Sequence, residues 1–331
     1  MNHLNIHERE QIAIGFAKHL SRREIARKTN RHHTTISREL NNNGKWYHKY
    51  SACIANERAL KKKKISRRSR KIDSNEKLKK YIHAKLKLIW SPEQIARTLK
   101  RIYPNNINMR VSHETIYSYI YILPRGELRK ELISYLRQGS EGRRRRYRTN
   151  EQRGKISNIV SIHERPKESK GRTIGGHWES DLIVGKDHAS AIGTIVERTT
   201  RTTIIVPLKA KDAETVRVSF AKAVKHLPKE MMKSITHDRG HEMAQHELFT
   251  KETNIQVYFA DPYSPWQRGT NENTNGLIRQ FFPKGTDFNT VTNKEIKRVQ
   301  KLLNERPRKV LDWKTPKEAF RELVANGAIR V

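Results

Sequence analysis

The chain has 331 residues and a formal net charge of +35, from 69 Lys and Arg against 34 Asp and Glu. Because a surface this positive repels itself unless it meets polyanions, nucleic acid is the expected partner, and the alternative is an unusually basic protein without one. A single cysteine, Cys53, excludes an intramolecular disulfide and favours a reducing compartment, and no apolar run approaches the ~18–20 residues of a membrane span.

The positive charge is concentrated in the first half of the chain. Residues 1–172 carry 43 Lys and Arg against 15 Asp and Glu, whereas residues 173–331 carry 26 against 19. We therefore expect the first half to bind DNA and the second half to carry the chemistry. The length allows two or three domains, each with its own core.

Residues 8–40 are predicted to form three short helices. Ser21 is a good N-cap for the second helix, and the third covers about 33–40, with Ile36 and Leu40 directed inward. Short hydroxyl side chains and an arginine on the outer face suit a recognition helix in the major groove. The alternative is an ordinary helical hairpin with a solvated polar face. The expected DNA contacts are Thr34, Thr35, Ser37 and Arg38.

A partial repeat of this motif follows, because SRREIAR at 21–27 is echoed by SPEQIAR at 91–97. In the echo, Ser91 is an N-cap, Pro92 takes the first helical position, and Glu93 favours the positive end of the helix. The repeat predicts the start of a second helix-turn-helix module.

The next helix of this module is predicted to begin after Ser112. Ile116 and Ile120 are expected inward, and His113 and Thr115 outward as DNA contacts. The long gap at 98–111 makes its turn less regular than that of the first module.

Two strongly basic stretches separate these parts. KKKKISRRSRK lies within 51–72, and EGRRRRYRTNEQRGK lies within 124–172. Both are predicted to be linkers, either solvated or held along phosphates by charge alone.

From about residue 173 the pattern changes to strands and helices. Helices are predicted at 212–226, 243–253 and, in two pieces, within 292–325. Three consecutive strands, a helix, a strand, a helix and a strand is the order of a ribonuclease-H-like core. The predicted strands are 178–184, 190–197, 202–208, 234–237 and 255–260.

Three acids are placed so that this fold can gather them. Asp181 lies on the first strand, Asp238 follows the fourth, and Glu272 is near the start of a helix expected to run from about Thr270 to Pro283. Carboxylate oxygens suit hard divalent cations. Two such ions can flank a phosphodiester and stabilise both the attacking and the leaving oxygen.

Other residues near these acids have two interpretations each. Glu179 is on the same strand face as Asp181, so it is a further ligand, an orienting acid, or an acid paired with Lys or Arg. His237, Asp238 and His241 together resemble a small metal cluster, although a histidine in such a position is more often not a metal ligand. We expect contacts to the substrate strand from Arg268, Asn275 and Arg279.

The motifs that carry these acids resemble those of the insertion sequence thirty family of transposases, within the aspartate–aspartate–glutamate transposase and retroviral integrase superfamily. The resembling blocks are HWESDLIVG, THDRGHEM, YFADPYSPWQRGTNENTNGLIRQFFPKGTDF and NERPRKVLDWKTPKEAF. With the two N-terminal modules, the resemblance covers nearly the whole chain.

The resemblance implies a multidomain protein with all-α helix-turn-helix modules and an α/β ribonuclease-H-like catalytic core. It implies that Asp181, Asp238 and Glu272 are catalytic and hold two Mg²⁺ ions, for which Mn²⁺ is expected to substitute. The enzyme would bind the terminal inverted repeats of its element, free 3′-hydroxyls by hydrolysis and join them to target DNA by transesterification. It would work as a homo-oligomer on double-stranded DNA in the bacterial cytoplasm, associated with the nucleoid and not with a membrane.

The expected domains are a first helix-turn-helix module (1–50), a basic linker (51–72), a second module (73–123), a second linker (124–172) and the catalytic core (173–331). Two other functions stay open from the sequence. One is a DNA-binding regulator with a relict integrase fold, and the other is a metal-dependent nuclease that cuts without joining.

Overall fold

The computed structural model describes residues 3–43, 50–64, 70–136 and 156–328. Its compact units are Met1–Ser74 and Asn75–Val331. Within the described ranges, none of the helices is long and apolar enough to cross a membrane.

The first unit is all helical. The start of α1 is closed by a capping box at Asn5, and that of α2 by one at Ser21. Its core is built from inward residues of all four helices, including Ile12, Ile25, Ile36, Leu40 and Ala55. The helices are α1 (Ile6–Ala17), α2 (Arg22–Lys28), α3 (His33–Asn43) and α4 (Ala52–Lys64).

The second unit begins with four further helices, α5 (Glu76–Lys87), α6 (Pro92–Ile102), α7 (His113–Ile122) and α8 (Glu127–Ser134). Ser91 caps α6 with Pro92 in its first turn, and Ser112 caps α7, as their spacing predicts. Ile116 and Ile120 are fully buried, so the inward face of α7 is also as predicted.

A five-stranded sheet forms the centre of the second unit. Its strands are β1 (His177–Val184), β2 (Ala191–Glu197), β3 (Thr203–Pro207), β4 (Ser234–His237) and β5 (Gln256–Phe259). The order across the sheet is β3-β2-β1-β4-β5. β1 pairs antiparallel with β2 and parallel with β4, and β5 is parallel to β4. The ribonuclease-H-like order predicted from the strand pattern is thereby confirmed.

Helices cover both faces of this sheet. On one face Trp178, Ile195 and Ile235 pack with Val216 and Phe220 of α9. Gly193 on β2 is required there, because a Cβ at this position would lie 2.2 Å from Cε1 of Phe220. The helices that follow the first three strands are α9 (Ala213–Val224), α10 (His246–Thr253), α11 (Gly269–Ile278), α12 (Asn293–Asn304) and α13 (Pro316–Ala328).

The opposite face carries α11 and α12. Ile183 and Ile192 of the sheet pack there against Leu277 of α11 and Val299 and Leu303 of α12. Because side chains alternate along β1, Glu179 and Asp181 lie on this same face. The packing thus brings α11 close to the two acids of β1.

The structure differs from the sequence analysis at three elements. The predicted linker 51–72 contains α4, whose Ala52 and Ala55 are buried in the first core, and its residues 65–69 are outside the described ranges. The linker 124–172 contains α8, and its arginine-rich part, 141–155, is also outside them. The helix carrying Glu272 ends at Ile278 and does not reach Pro283. The backbone N–H of the capping residue, Arg279, donates to the carbonyls of Asn275 and Leu277.

Candidate active site

The two predicted aspartates lie at adjacent positions on neighbouring strands. The parallel register pairs Trp178 with Ile235 and Glu179 with Thr236. Two residues further along this register, Asp181 stands beside Asp238, just past the end of β4. Because β1 is the central strand of the sheet and β4 lies next to it, the backbone that carries Asp181 and leads into Asp238 is well packed.

A guanidinium group bridges these two carboxylates. Arg268 ends a short 3₁₀ turn (Pro265–Arg268) that leads into α11. Its Nη1 lies 3.4 Å from Oδ1 of Asp181, and its Nη2 donates to Oδ2 of Asp238 at 3.2 Å. Nη1 also donates to the carbonyl of Ser180. One positive charge therefore lies between the two aspartate carboxylates. The sequence analysis predicted this residue, Arg268, as a DNA contact.

The environment of Asp181 is only partly polar. Burial raises the pKa of Asp181 above its ordinary value, the Arg268 guanidinium opposes this rise, and the charge of Asp238 adds to it. Asn275 Nδ2 donates to Oδ2 of Asp181 at 2.9 Å, and Thr194 Oγ1 donates to Oδ1 of Asn275 at 3.0 Å. An ionised carboxylate only accepts, so Asp181 faces the NH₂ end of the Asn275 amide, and Thr194 contacts the other end.

The start of α11 is fixed by a buried acid. Glu179 is fully buried, and its Oε2 accepts the backbone N–H of Asn271 at 2.9 Å. Its Oε1 accepts from Nε of Arg198, also at 2.9 Å. Of the three interpretations of Glu179, the structure therefore shows the acid paired with an arginine, Arg198. The bond from the Asn271 N–H to Glu179 also orients α11.

Glu272 lies on α11 between two residues that contact Asp181. It is exposed, four residues after Arg268 and three before Asn275. Side chains three residues apart share one helix face, so α11 places Glu272 one turn before Asn275, which donates to Asp181. Arg268 precedes α11, in the 3₁₀ turn that leads into it.

The carboxylate oxygens of Asp181 and Asp238, which face the Arg268 guanidinium, are a donor set that fits Mg²⁺. In the described part of the chain, the group of potential ligands whose donor atoms all lie within 4.8 Å of one another consists of His237, Asp238 and Glu242. His241, which the sequence grouped with His237, is exposed and lies outside it. Asp181 and Glu272 are likewise outside it. The Arg268 guanidinium lies between Asp181 and Asp238, so a cation bound between these two carboxylates would have to displace it.

The remaining predicted DNA contacts fall into two classes. Thr34 and Arg38 on α3, and His113 and Thr115 on α7, are exposed, while Thr35 and Ser37 are half-buried. Arg279 and Asn275 have partners within the core. Arg279 Nη2 donates to the carbonyl of Val184 at 2.7 Å, which links the end of α11 to the end of β1.

Sequence reasoning did not identify Arg198 or Thr194 as part of this site. Both lie on or just after β2, far along the chain from α11. One signal in the sequence could have pointed to β2 as part of the site: this otherwise apolar strand carries polar residues at 194 and 197.

Known proteins resemble both halves of the chain. A helix-turn-helix domain family matches residues 1–43, and an integrase core domain family matches residues 172–265. The transposase for insertion sequence element IS1086 of Cupriavidus metallidurans is 41% identical over 98% of this chain and 96% of its own length. Transposase InsI for insertion sequence element IS30A of Escherichia coli is 45% identical over 98% of this chain and 84% of its own length.

Among solved structures, the catalytic core domain of BIV integrase has 17% identity and a TM-score of 0.37, covering 46% of this chain and 99% of that one. The helix-turn-helix and integrase core matches fit the modules described above, and the curated relatives extend over nearly the whole chain. The chain therefore belongs to the IS30 family of insertion-sequence transposases.

Proposed function

We propose that this protein is a Mg²⁺-dependent DNA transposase that binds the ends of its own element, cleaves them and joins the freed 3′-hydroxyls to target DNA. The observation that carries this proposal is the juxtaposition of Asp181 and Asp238 by the β1–β4 register, with a cationic group between them. α11, which carries Glu272, packs on the same face.

In this proposal Asp181, Asp238 and Glu272 hold the metal. Two Mg²⁺ ions bound there supply charge for the attacking and the leaving oxygens of the phosphodiester. Asn275 and the N–H of Leu182 keep the Asp181 carboxylate in one orientation. With metal held by these acids, Arg268 would have to leave the carboxylates, and the fork geometry of its guanidinium would suit a substrate phosphate.

DNA binding is assigned to the basic first half. The exposed side chains Thr34 and Arg38 on α3, and His113 and Thr115 on α7, are the proposed contacts to the element ends. Synapsis of two ends requires more than one copy, so we propose a homo-oligomer. No nucleoside triphosphate is needed, because in transesterification the new phosphodiester replaces the old one.

Replacing Asp181 by Asn tests the catalytic assignment. Asp181→Asn keeps the size of the side chain and removes its charge, so cleavage of end-containing DNA in Mg²⁺ should be lost while end binding is nearly unchanged. Asp187→Asn is a matched control, since Asp187 is exposed and its φ of 49° is one that Asn tolerates. Normal cleavage by Asp181→Asn contradicts the metal assignment.

The same assay separates the other two functions. A DNA-binding regulator protects the element ends with Ca²⁺ in place of Mg²⁺ but never nicks them when Mg²⁺ is restored. A nuclease yields cut ends without joined strand-transfer products. The proposed transposase gives all three results: protection, cleavage and joined products.

A further inference from the structure

A buried histidine beside Asp238 has an imidazole nitrogen without a hydrogen bond. His237 is the last residue of β4 and is fully buried, and its Nε2 has no hydrogen-bond partner among the described residues. That nitrogen lies 3.4 Å from Oδ1 of Asp238 and 3.7 Å from Oε1 of Glu242. Leaving a buried polar atom unsatisfied is unfavourable, so its orientation toward two carboxylates calls for a positive charge between them.

The other ring nitrogen is held by a neighbouring strand. Nδ1 of His237 lies 2.8 Å from Oγ of Ser180, the residue beside it in the β1–β4 register. When Nδ1 carries the proton, Ser180 Oγ accepts it and Nε2 presents a lone pair to the carboxylates. Histidines that bind metals usually have this arrangement, in which a second group fixes the tautomer and the ring.

The spacing of the three atoms suits one metal ion. Two ligands of a tetrahedral ion with bonds of about 2.1 Å are about 3.4 Å apart. The distances from His237 Nε2 to the two carboxylates are close to this value, and all three donor atoms lie within 4.8 Å of one another. The side chains of Asp238 and Glu242 are 32% and 24% exposed, so an ion has access from solvent while the imidazole stays buried.

Asp238 presents its two oxygens to different partners. Oδ2 accepts from Arg268 on the side of Asp181, whereas Oδ1 faces His237 and accepts the N–H of Gly240 at 3.2 Å. A carboxylate in this position can bridge two cations.

We propose that His237 Nε2, Asp238 Oδ1 and Glu242 Oε1 form an additional cation site that takes a first-row transition ion such as Mn²⁺ or Zn²⁺. An imidazole ligand suits Zn²⁺, and the two carboxylates suit Mn²⁺. The site is distinct from the carboxylates of Asp181 and Glu272 and shares Asp238 with them. A cation bound there fixes the orientation of Asp238.

The additional site can be tested by binding Mn²⁺ to the full-length Asp181→Asn/Glu272→Gln double variant. This variant lacks the other two acids assigned to Mg²⁺. Electron spin echo modulation should detect one bound Mn²⁺ coupled to a single imidazole ¹⁴N. The coupling should vanish on adding His237→Asn, in which the amide can keep the bond to Ser180 without reaching the carboxylates. It should persist on adding His241→Asn, the matched control at an exposed histidine.

Two further variants test the site without changing His237, so the test does not depend on whether the His237 variant folds. Glu242→Gln should weaken Mn²⁺ binding, and Ser180→Ala should weaken it about tenfold through loss of ring orientation. Bound Mn²⁺ without nitrogen coupling, or coupling that persists in His237→Asn, overturns the proposal. The readout does not involve cleavage, so failure of the transposase assignment leaves this result unaffected, and the reverse also holds.

Discussion

The Arg268 guanidinium lies between Asp181 and Asp238, where the proposed function would place a divalent cation. Each charge-assisted hydrogen bond of this kind contributes roughly 1.5–3 kcal/mol, and a metal ion must replace it. The arginine is therefore expected to compete with the metal, and without metal its single positive charge offsets part of the charge of the two carboxylates.

Replacing this arginine should separate metal binding from catalysis. Arg268→Gln should bind Mg²⁺ about tenfold more tightly or better, because the ion no longer displaces a guanidinium worth roughly 1.5–3 kcal/mol per bond. Cleavage should nevertheless fall, since the proposed phosphate contact is also lost. Isothermal titration calorimetry measures the first effect and a nicking assay on end-containing DNA the second.

The control for this variant is Arg239→Gln. Arg239 directly follows Asp238, but its guanidinium turns to other partners: Nη2 lies 3.7 Å from Oδ1 of Asp261, and Nε donates to the carbonyl of Ala260. Its replacement should leave Mg²⁺ affinity unchanged. Equal or weaker Mg²⁺ binding by Arg268→Gln would show that the guanidinium does not compete with the ion.

At this scale the sequence predicts the position of acids better than their partners. The positions of Asp181 and Asp238 follow from the strand pattern, because Asp181 lies on one short apolar run and Asp238 directly follows another. The bridge by Arg268 and the pair between Glu179 and Arg198 depend on side-chain directions in the packed core. Spacing along the chain carries no information about those directions.

At the scale of elements, α11 is the helix whose position matters most, and Glu179 fixes its start. One oxygen of this acid accepts the Asn271 N–H and the other pairs with Arg198. The contact joins the helix carrying Glu272 to the strand carrying Asp181. Its loss should therefore disturb the spacing between those two acids without affecting the first unit.

Glu179→Gln should destabilise the second unit by about 3–5 kcal/mol, because it leaves the charge of Arg198 buried and unpaired. Urea unfolding measures this loss, and hydrogen exchange at the Asn271 amide should become faster. The double variant Glu179→Gln/Arg198→Gln should recover part of the stability, since neither charge then remains buried. Additive losses in the double variant would show that the two side chains are not coupled.

The ends of the five strands were predictable to within one residue because turn residues flank each apolar run, and the register follows from which face is buried. α4 and α8 were missed for a physical reason as well. Each carries many charged residues and buries only a few small or isolated apolar side chains, such as Ala55 and Leu132. Composition alone does not distinguish such a helix from a basic linker.

At the scale of the whole molecule, the second unit is more continuous than the predicted domains 73–123 and 173–331 suggest. Gln94 of α6 donates through Nε2 to the carbonyl of Pro307 at 2.7 Å, in a buried contact. Arg101 of the same helix makes a two-pronged ion pair with Glu318 of α13. The helix before α7 is thus attached to the C-terminal helices of the integrase-like part.

Gln94 and Arg101 offer a comparison between a buried and an exposed contact across this junction. Gln94→Glu preserves the reciprocal cap with Ser91, because a Glu oxygen accepts the same backbone N–H, but it removes the donor to Pro307. The buried carbonyl then faces a carboxylate, and the second unit should lose at least about 1–3 kcal/mol in urea unfolding. Arg101→Gln removes only the exposed pair and should cost less than about 1 kcal/mol. If both variants lost the same small amount, the buried bond would not be what joins α6 to the C-terminal helices.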